Sequence, residues 1–290
     1  MKKAAALILA VALTALCLVG CGGNSSSNGD SNSSDTKNES SNATSDSAQS
    51  DDWSYIQNKG EMIIGITYFE PMNYKDENGE LTGFETEFAK AVCAELGVEP
   101  KFQEINWDTK EVELKSKTID CIWNGMTITD ERKEAMSISD PYMENKQVMV
   151  TKESNVEKYS TAEGVKEANV VAEAGSAGET VAKEDAFFKD AVYLAADSQA
   201  KALMEVKAGT SDIAIIDYVM SIGTLRAGSD YSDLKVVEAQ SFSPEQYGVA
   251  FRKDSDTTQK VNEAMKKLAE NGKLKEIADK YSLTDLVIVK

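Results

Sequence analysis

The apolar and polar positions alternate between strand-like and helix-like segments along the first half of the chain. Residues 62–67 and 119–123 are short, mostly apolar runs, which predict β-strands, and residues 101–105 are predicted to form the strand between them. Between the strands at 62–67 and 101–105, apolar residues recur every four positions, at Phe84, Phe88, Val92 and Leu96, before Gly97. This spacing predicts an amphipathic helix with a glycine C-cap, and residues 108–115 are predicted to form a further helix. The alternation predicts a mostly parallel sheet with helices on both faces.

The same alternation begins again after residue 150, which predicts a second lobe. Strands are predicted at residues 170–174, 192–194 and 213–216, and helices from about residue 179 and at 198–208. The chain then returns through Pro244 to an apolar strand at 247–251, and apolar residues at helical spacing predict terminal helices. Two α/β lobes joined by two crossing strands predict a hinged molecule.

The first fifty residues differ from the rest of the chain. Met1-Lys2-Lys3 followed by an apolar run at residues 4–19 predicts a secretory signal peptide, and the run is shorter than the roughly 20 residues that cross a bilayer. Residues 22–50 are mostly Ser, Asn, Asp, Gly and Thr, so burial cannot offset their ordering entropy. We interpret them as a flexible tether, and a glycosylated stalk stays open as an alternative.

Charge and composition argue against several functions. The formal net charge is −18, whereas nucleic acids and anionic lipids are bound through clustered lysine and arginine. The chain has no histidine, the commonest metal ligand and general base, and no cysteine pair has zinc spacing. We therefore expect no cofactor, no metal and no nucleic acid partner. Cys93 and Cys121 are expected to be buried free thiols, with a disulfide as the alternative.

One arginine lies where a cation is unfavourable. Thr129 is predicted to cap a helix that begins with Asp130 and Glu131, which suit the positive end of the helix dipole, whereas Arg132 does not. A guanidinium beside free N–H groups and the Thr127 hydroxyl makes a receptor for a carboxylate. The alternative is a solvated arginine on a surface helix.

Five segments resemble the polar amino acid family, family 3, of bacterial extracellular solute-binding proteins, the capture subunits of ABC importers. They are Thr127-Ile128-Thr129-x-x-Arg132, residues 65–71 (GITYFEP), 79–88 (GELTGFETEF), 139–142 (SDPY, with Ile138 in place of the usual phenylalanine) and 246–251 (QYGVAF). The resemblance implies an α/β, two-lobed, type II periplasmic-binding-protein-like clam shell. Each lobe is then a mostly parallel sheet flanked by helices, and two hinge strands join the lobes.

The resemblance also implies a domain organisation. Residues 1–20 are the signal peptide and residues 21–52 the tether, while lobe 1 comprises 53–148 plus 245–290 and lobe 2 comprises 149–244. Leu18-Val19-Gly20-Cys21 looks like a lipobox, which implies that Cys21 carries lipid and anchors the protein to the extracytoplasmic face of the cell membrane. A plain signal peptide is the alternative.

The family pattern assigns the ligand's two headgroup charges to opposite lobes. Arg132, with Thr127 and the N–H groups of Gly125 to Thr127, would bind the α-carboxylate, and Asn124 would help to shape the pocket floor. Ser176 and the backbone at Ala177 would reach the same carboxylate from the second lobe. Asp217 would pair with the α-ammonium, and its alternative is the N-cap of a helix at 218–225.

Two aromatic residues are expected to cover the ligand's side chain. Phe69 and Trp107 match the family positions that face each other across the ligand. An exposed loop aromatic and a buried core tryptophan are the respective alternatives. Each residue follows a predicted strand, at the sheet edge where α/β proteins bind ligands.

We expect a monomeric receptor that captures a polar L-amino acid and delivers it to an ABC permease. The alternatives are an amino acid sensor without transport and, less favoured, an enzyme on the same scaffold. Thr67 stands where relatives that bind cationic amino acids can carry an acid, which favours a neutral side chain. Glu70, Glu144 or Glu173 could restore that acid, so glutamine, cystine, arginine and histidine all stay open.

Overall fold

The computed structural model describes residues 51–289. The predicted signal peptide, Cys21 and the tether up to residue 50 lie outside these residues. The first helix begins at Asp52, whose buried carboxylate accepts a hydrogen bond from Arg252 Nε at 2.7 Å. Asp52, which was predicted to end the tether, therefore belongs to the folded body.

Helices and strands alternate through this body. The helices are α1 (Asp52–Lys59), α2 (Phe84–Leu96), α3 (Lys110–Lys115), α4 (Asp130–Ala135), α5 (Val156–Tyr159), α6 (Ala162–Val165), α7 (Ala177–Glu184), α8 (Gln199–Ala208), α9 (Tyr218–Thr224), α10 (Thr257–Glu270) and α11 (Lys273–Lys280). The strands are β1 (Glu61–Ile66), β2 (Tyr74–Lys75), β3 (Leu81–Thr82), β4 (Glu99–Glu104), β5 (Cys121–Ile122), β6 (Ser137–Ile138), β7 (Met143–Lys152), β8 (Asn169–Glu173), β9 (Val192–Ala196), β10 (Ile213–Asp217), β11 (Leu234–Val236), β12 (Pro244–Tyr247) and β13 (Ala250–Phe251).

The strands form two main sheets, which confirms the predicted α/β architecture with two lobes. The first sheet has the order β4-β1-β5-β13-β6, and the second has the order β11-β7-β10-β8-β9, with β12 paired to β7. Pairs connected through helices, such as β1 with β4 and β8 with β9, are parallel. Pairs that involve β7 or β13 are antiparallel, so each sheet is mixed.

The chain passes between the two sheets along β7 and β12, which pair antiparallel from Met143 opposite Tyr247 to Lys146 opposite Pro244. The second half of β7 continues into the second sheet beside β10. The lobe boundaries predicted at 148 and 244 fall inside β7 and at the start of β12. These two strands therefore make the connection at which a hinge is expected.

An aromatic cluster around α2 forms part of the core. Phe84, Phe88 and Val92 of α2 are fully buried, as the four-residue spacing predicts. The Trp123 ring packs on Phe88 with centroids 5.2 Å apart, so Trp123 belongs to the core.

Cys93 and Cys121 are buried free thiols, as expected. Among the helices of residues 51–289, none has the length and apolar character needed to span a membrane.

Candidate functional site

Eight of the nine residues predicted to bind a ligand line one cavity at the carboxyl ends of strands from both sheets. Its lining comprises Trp107, Asn124, Gly125, Thr127, Arg132, Gln147, Glu173, Ser176, Ala177, Gln199 and Asp217. The free volume is about 10 Å³, roughly the space of one water molecule. A wider groove of about 700 Å³ shares Thr127, Arg132, Gln147, Ser176 and Ala177 with the cavity. A molecule larger than water therefore enters only if the two lobes separate.

Arg132 reaches from the first lobe to the second. Thr129 caps α4 by accepting a hydrogen bond from the Arg132 N–H at 3.2 Å, which sets the start of the helix. The Arg132 guanidinium donates to the Thr127 carbonyl at 2.7 Å and to the Gly175 carbonyl at 3.3 Å. Burial lowers the pKa of Arg132, and Glu245 and Asp217 oppose that shift, so the group stays charged. It is therefore a fixed, largely desolvated cation rather than a solvated surface arginine.

The Gly125 N–H was expected to face the ligand, and the structure corrects this. It donates to the Glu85 carboxylate at 2.8 Å, and the same carboxylate accepts from Asn73 at 2.7 Å and from the Tyr142 hydroxyl. A fully buried carboxylate needs such donors, and burial still raises the pKa of Glu85 to about 7. Within residues 51–289, the Thr127 N–H and hydroxyl have no protein partner, so they remain the donors beside Arg132.

Asn124 and Phe69 also differ in part from expectation. The Asn124 side chain accepts from the Thr67 N–H and hydroxyl, at 3.0 and 2.7 Å, and donates to the Thr67 carbonyl. Asn124 therefore shapes the cavity without a free polar group. Phe69 is buried in the core against Gly125 and does not line the cavity, whereas Trp107 does. The expected pair of facing aromatics is thus represented in the lining by Trp107 alone.

Ser176 and Ala177 form the start of α7 in the second lobe. The Ser176 hydroxyl accepts from the Glu179 N–H at 3.1 Å, and Glu179 accepts from the Gly175 N–H at 2.7 Å. This reciprocal arrangement resembles a capping box and fixes the turn. The first N–H groups of a helix have no partner within it, so the backbone at Ala177 offers a donor to the cavity.

Asp217 ends β10 and is surrounded by three side-chain amides. Its carboxylate accepts from Asn145 and Gln147 at 2.7 Å each and also from Gln199. Asp217 occupies the N-cap position of α9 but its side chain makes no capping bond. The side-chain oxygen Oδ1 of Asn145 accepts from the Val219 N–H instead, at 3.2 Å. The capping alternative is therefore wrong for the carboxylate.

A second acid lies beside Asp217. Glu245 accepts from Asn145 at 2.5 Å and from Gln147 at 2.9 Å, so the two carboxylates share the same two amide donors. Burial, together with the charge of Asp217, raises the pKa of Glu245 to about 7. Burial also raises the pKa of Asp217, against the three amides. This side of the cavity is therefore rich in carboxyl groups, and their closeness and burial favour retention of a proton.

Some relatives carry an acid at the position of Thr67, and three nearby glutamates were proposed to supply one here. Of these three, only Glu173 lines the cavity. Glu70 pairs with Arg226 at 2.9 Å, and Glu144 lies exposed on a separate surface groove. Glu173 is 3% exposed, and its Oε1 is enclosed without a hydrogen bond partner. Burial and the charge of Asp217 raise the pKa of Glu173 to about 8, while Lys110 opposes the shift.

Several residues of the site were not singled out from the sequence. Lys110, 5% exposed, donates to the Trp107 and Gly175 carbonyls at 3.0 Å each, and burial lowers its pKa to about 8. Asn145 and Gln147 alternate along β7, and two amides at that spacing in a buried strand are a signal that could have been used. Gln199 and Glu245 carry no such signal, because they meet Asp217 only in the folded chain.

Comparisons with known proteins show what the chain is similar to. The family model of bacterial extracellular solute-binding proteins, family 3, matches residues 62–284. The L-cystine-binding protein TcyJ of Escherichia coli K12 is 27% identical over 80% of this chain and 86% of its own. The L-arginine-binding protein of Pseudomonas aeruginosa is 33% identical over 77% of this chain and 88% of its own. A substrate-binding protein of an ABC uptake transporter from Streptococcus pneumoniae, solved with bound histidine, has 34% identity and a TM-score of 0.72 over 80% of this chain and 96% of its own.

Proposed function

Because the chain belongs to family 3 of the bacterial extracellular solute-binding proteins, we propose that it captures a polar L-amino acid in the interlobe cavity and delivers it to an ABC permease. The eight predicted residues that line the cavity are proposed as its binding site, and Phe69 is left out. Lipidation of Cys21 would hold the monomeric receptor at the extracytoplasmic face of the membrane.

One observation carries the proposal: Arg132 and Asp217, from opposite lobes, line the same small cavity. An amino acid zwitterion has one charge for each of them. Its carboxylate would take the Arg132 N–H groups that now bond to carbonyl oxygens, and its ammonium would donate to Asp217. Because the open form separates these two groups, the ligand contacts both only when the lobes close. This difference in contact is what shifts an open–closed equilibrium.

A screen of the purified protein for thermal stabilisation by the twenty amino acids and cystine tests the proposal. A ligand at one hundred times its dissociation constant should add about 2.7 kcal/mol to the free energy of unfolding. The best ligand is then compared with its N-acetyl and carboxamide derivatives, each of which removes one headgroup charge. Both derivatives should lose binding, and retention of affinity within twofold by either would refute the two-charge arrangement.

Transport and sensing share this binding step, so they need a separate experiment. Uptake of the identified amino acid is measured in cells that lack the protein and in cells that carry the Arg132→Ala variant. A capture subunit predicts loss of high-affinity uptake in both strains. Unchanged uptake would favour the sensor. Recovery of unaltered ligand after prolonged incubation would separate binding from turnover.

A further inference from the structure

The two headgroup charges of an amino acid leave one acidic side chain of the cavity without a partner. Among the lining residues, Arg132 carries a positive charge, and Asp217 and Glu173 are acids. A zwitterion satisfies Arg132 and Asp217. Glu173 then remains as a carboxyl group that is 3% exposed, enclosed at Oε1 and free of hydrogen bonds from any residue between 51 and 289.

From this position we infer that Glu173 receives the charged end of the ligand's side chain, so that the substrate class is the basic amino acids of the arginine and lysine type. The inference rests on the proposed function, because it assumes that Arg132 binds the ligand's α-carboxylate and Asp217 its α-ammonium. Glu173 ends β8 in the second lobe, and Asp217 ends the neighbouring strand β10. The two acids thus stand side by side at one sheet edge, where one ammonium and one side-chain cation would each find a carboxylate.

The nearby positive charges do not fill this role. The Lys110 ammonium is held by the Trp107 and Gly175 carbonyls and lies over the Trp107 ring, 4.8 Å from its centroid. The Arg132 guanidinium is held by the Thr127 and Gly175 carbonyls. Neither forms an ion pair with Glu173. A buried carboxyl without a partner is rare in proteins, and a cationic ligand group would supply the missing donors.

This assignment reverses the preference that Thr67 gave in the sequence. Threonine at position 67 supplies no acid, and its N–H, hydroxyl and carbonyl are all bonded to the Asn124 side chain. Glu173 supplies an acid from the second lobe instead. Burial raises the pKa of Glu173, so the empty cavity favours the protonated carboxyl, and a cationic side chain would bind with release of that proton. A ligand with a neutral side chain, such as glutamine, would instead be favoured if the carboxyl kept its proton and donated it in a hydrogen bond to the side-chain carbonyl oxygen.

Isothermal titration calorimetry with arginine and citrulline separates these outcomes, because citrulline keeps the shape of arginine and lacks its side-chain charge. Arginine should bind about 100-fold or more tightly than citrulline, since citrulline leaves Glu173 unpaired. In the Glu173→Gln variant, arginine should lose most of this advantage, while citrulline affinity changes less than threefold. The variants Glu70→Gln and Glu144→Gln serve as matched controls and should keep the arginine preference.

Two results would overturn the inference. Citrulline or glutamine binding as tightly as arginine would assign Glu173 to a neutral ligand, and an unchanged arginine preference in Glu173→Gln would remove Glu173 from the site. Either result leaves amino acid binding intact, so the proposed function would survive. Failure of every amino acid to bind the wild-type protein would instead refute the proposed function. Thermal unfolding of Glu173→Gln without ligand verifies that the variant is folded.

Discussion

At the scale of single residues, the site keeps charges in place with neutral partners. Three amides hold Asp217, and two carbonyl oxygens hold Arg132. Neutral partners orient a charge without cancelling it, so each group remains able to bind an ion of the opposite sign. A direct ion pair between Arg132 and Asp217 would have to be broken before a ligand could bind.

Arg132→Lys tests whether the planar, forked donor geometry matters beyond its charge. Lysine keeps a cation but has a single ammonium, so it cannot bind a carboxylate through two parallel N–H groups. We expect at least a tenfold loss of amino acid affinity for Arg132→Lys, and a loss of about 2–5 kcal/mol for Arg132→Ala. Calorimetry measures both. Equal affinity of the wild type and Arg132→Lys would contradict the bidentate role.

Arg132 was singled out by its place in the first turn of a capped helix, and Asp217 by the family resemblance at the end of a predicted strand. Their partners were not found, for a physical reason. Gln199 belongs to α8 and Gln147 to β7, and hydrogen bonds between such distant side chains leave no periodic trace in the sequence. The Gly125 N–H was misassigned because Glu85, its acceptor, lies forty positions away in a helix whose apolar stripe predicts only packing.

Buried carboxyl groups predict how stability depends on pH. The pKa of Glu173 is raised to about 8 by burial and by the charge of Asp217, and those of Glu85 and Glu245 to about 7. The folded state therefore holds more protons than the unfolded state above the ordinary carboxyl pKa. The stabilisation is fully present below about pH 4.5 and is lost as the pH rises through about 7 to 8.

Urea unfolding of the ligand-free protein between pH 5 and 7.5 tests this sign. Lys110, whose pKa is lowered to about 8, stays mostly protonated in that range. Stability should fall with rising pH, and the Glu173→Gln variant should reduce the slope by up to about 1.4 kcal/mol per pH unit. Glu144→Gln, at an exposed position, should leave the slope unchanged. A slope that rises with pH in the wild type would contradict the direction of these shifts.

At the scale of elements, the turn after β5 brings a glycine and an aromatic ring into close contact. Gly125 has φ +55°, and a Cβ there would lie 2.9 Å from Phe69 Cζ. The turn therefore needs glycine both for its backbone conformation and for the closeness of the ring. It aims the chain from β5 towards Thr127 and α4, which places Arg132 over the cavity.

Gly125→Ala should destabilise the protein by about 2–4 kcal/mol, because it adds a steric clash to a left-handed backbone. Gly79→Ala is the matched control, since Gly79 has φ +82° but open space around its Cβ position. We expect about 1 kcal/mol for the control. Chemical unfolding measures both variants. Equal losses would show that the Phe69 contact contributes nothing beyond backbone strain.

Element prediction succeeded where apolar periodicity is long and failed where pairing is between distant segments. The predicted helix at 198–208 corresponds to α8 and the predicted strand at 213–216 to β10. The strand predicted at 119–123 is shortened to Cys121–Ile122, although the flanking Asp120 and Trp123 N–H groups still donate to carbonyls of β1. The antiparallel edge made by β13 and β6 has only two residues in each strand, too short for any period to appear.

At the scale of the whole molecule, the Gly175 carbonyl is the point at which the two lobes are joined over the cavity. Lys110 and Arg132, both from the first lobe, donate to it at 3.0 and 3.3 Å. The Glu70–Arg226 pair lies at the exposed rim, where ion pairs contribute about 0–1 kcal/mol. The enclosed Lys110 bond therefore contributes more to closure. Sequence patterns cannot predict such contacts, because they form only when the lobes meet.

Lys110→Met removes this interlobe bond while it keeps an apolar side chain against Trp107. A charge-assisted hydrogen bond contributes about 1.5–3 kcal/mol, so the closed form should lose population. Apparent affinity scales with the closed fraction, so the dissociation constants of ligands with neutral side chains should all rise by one common factor of about tenfold. This pattern differs from that of Glu173→Gln, which changes the affinities for arginine and citrulline unequally.

Lys101→Met, at an exposed pair with Glu99, is the control. Calorimetry of two ligands and X-ray scattering of each variant distinguish the cases, and a ligand-dependent effect would place Lys110 in contact with the ligand instead.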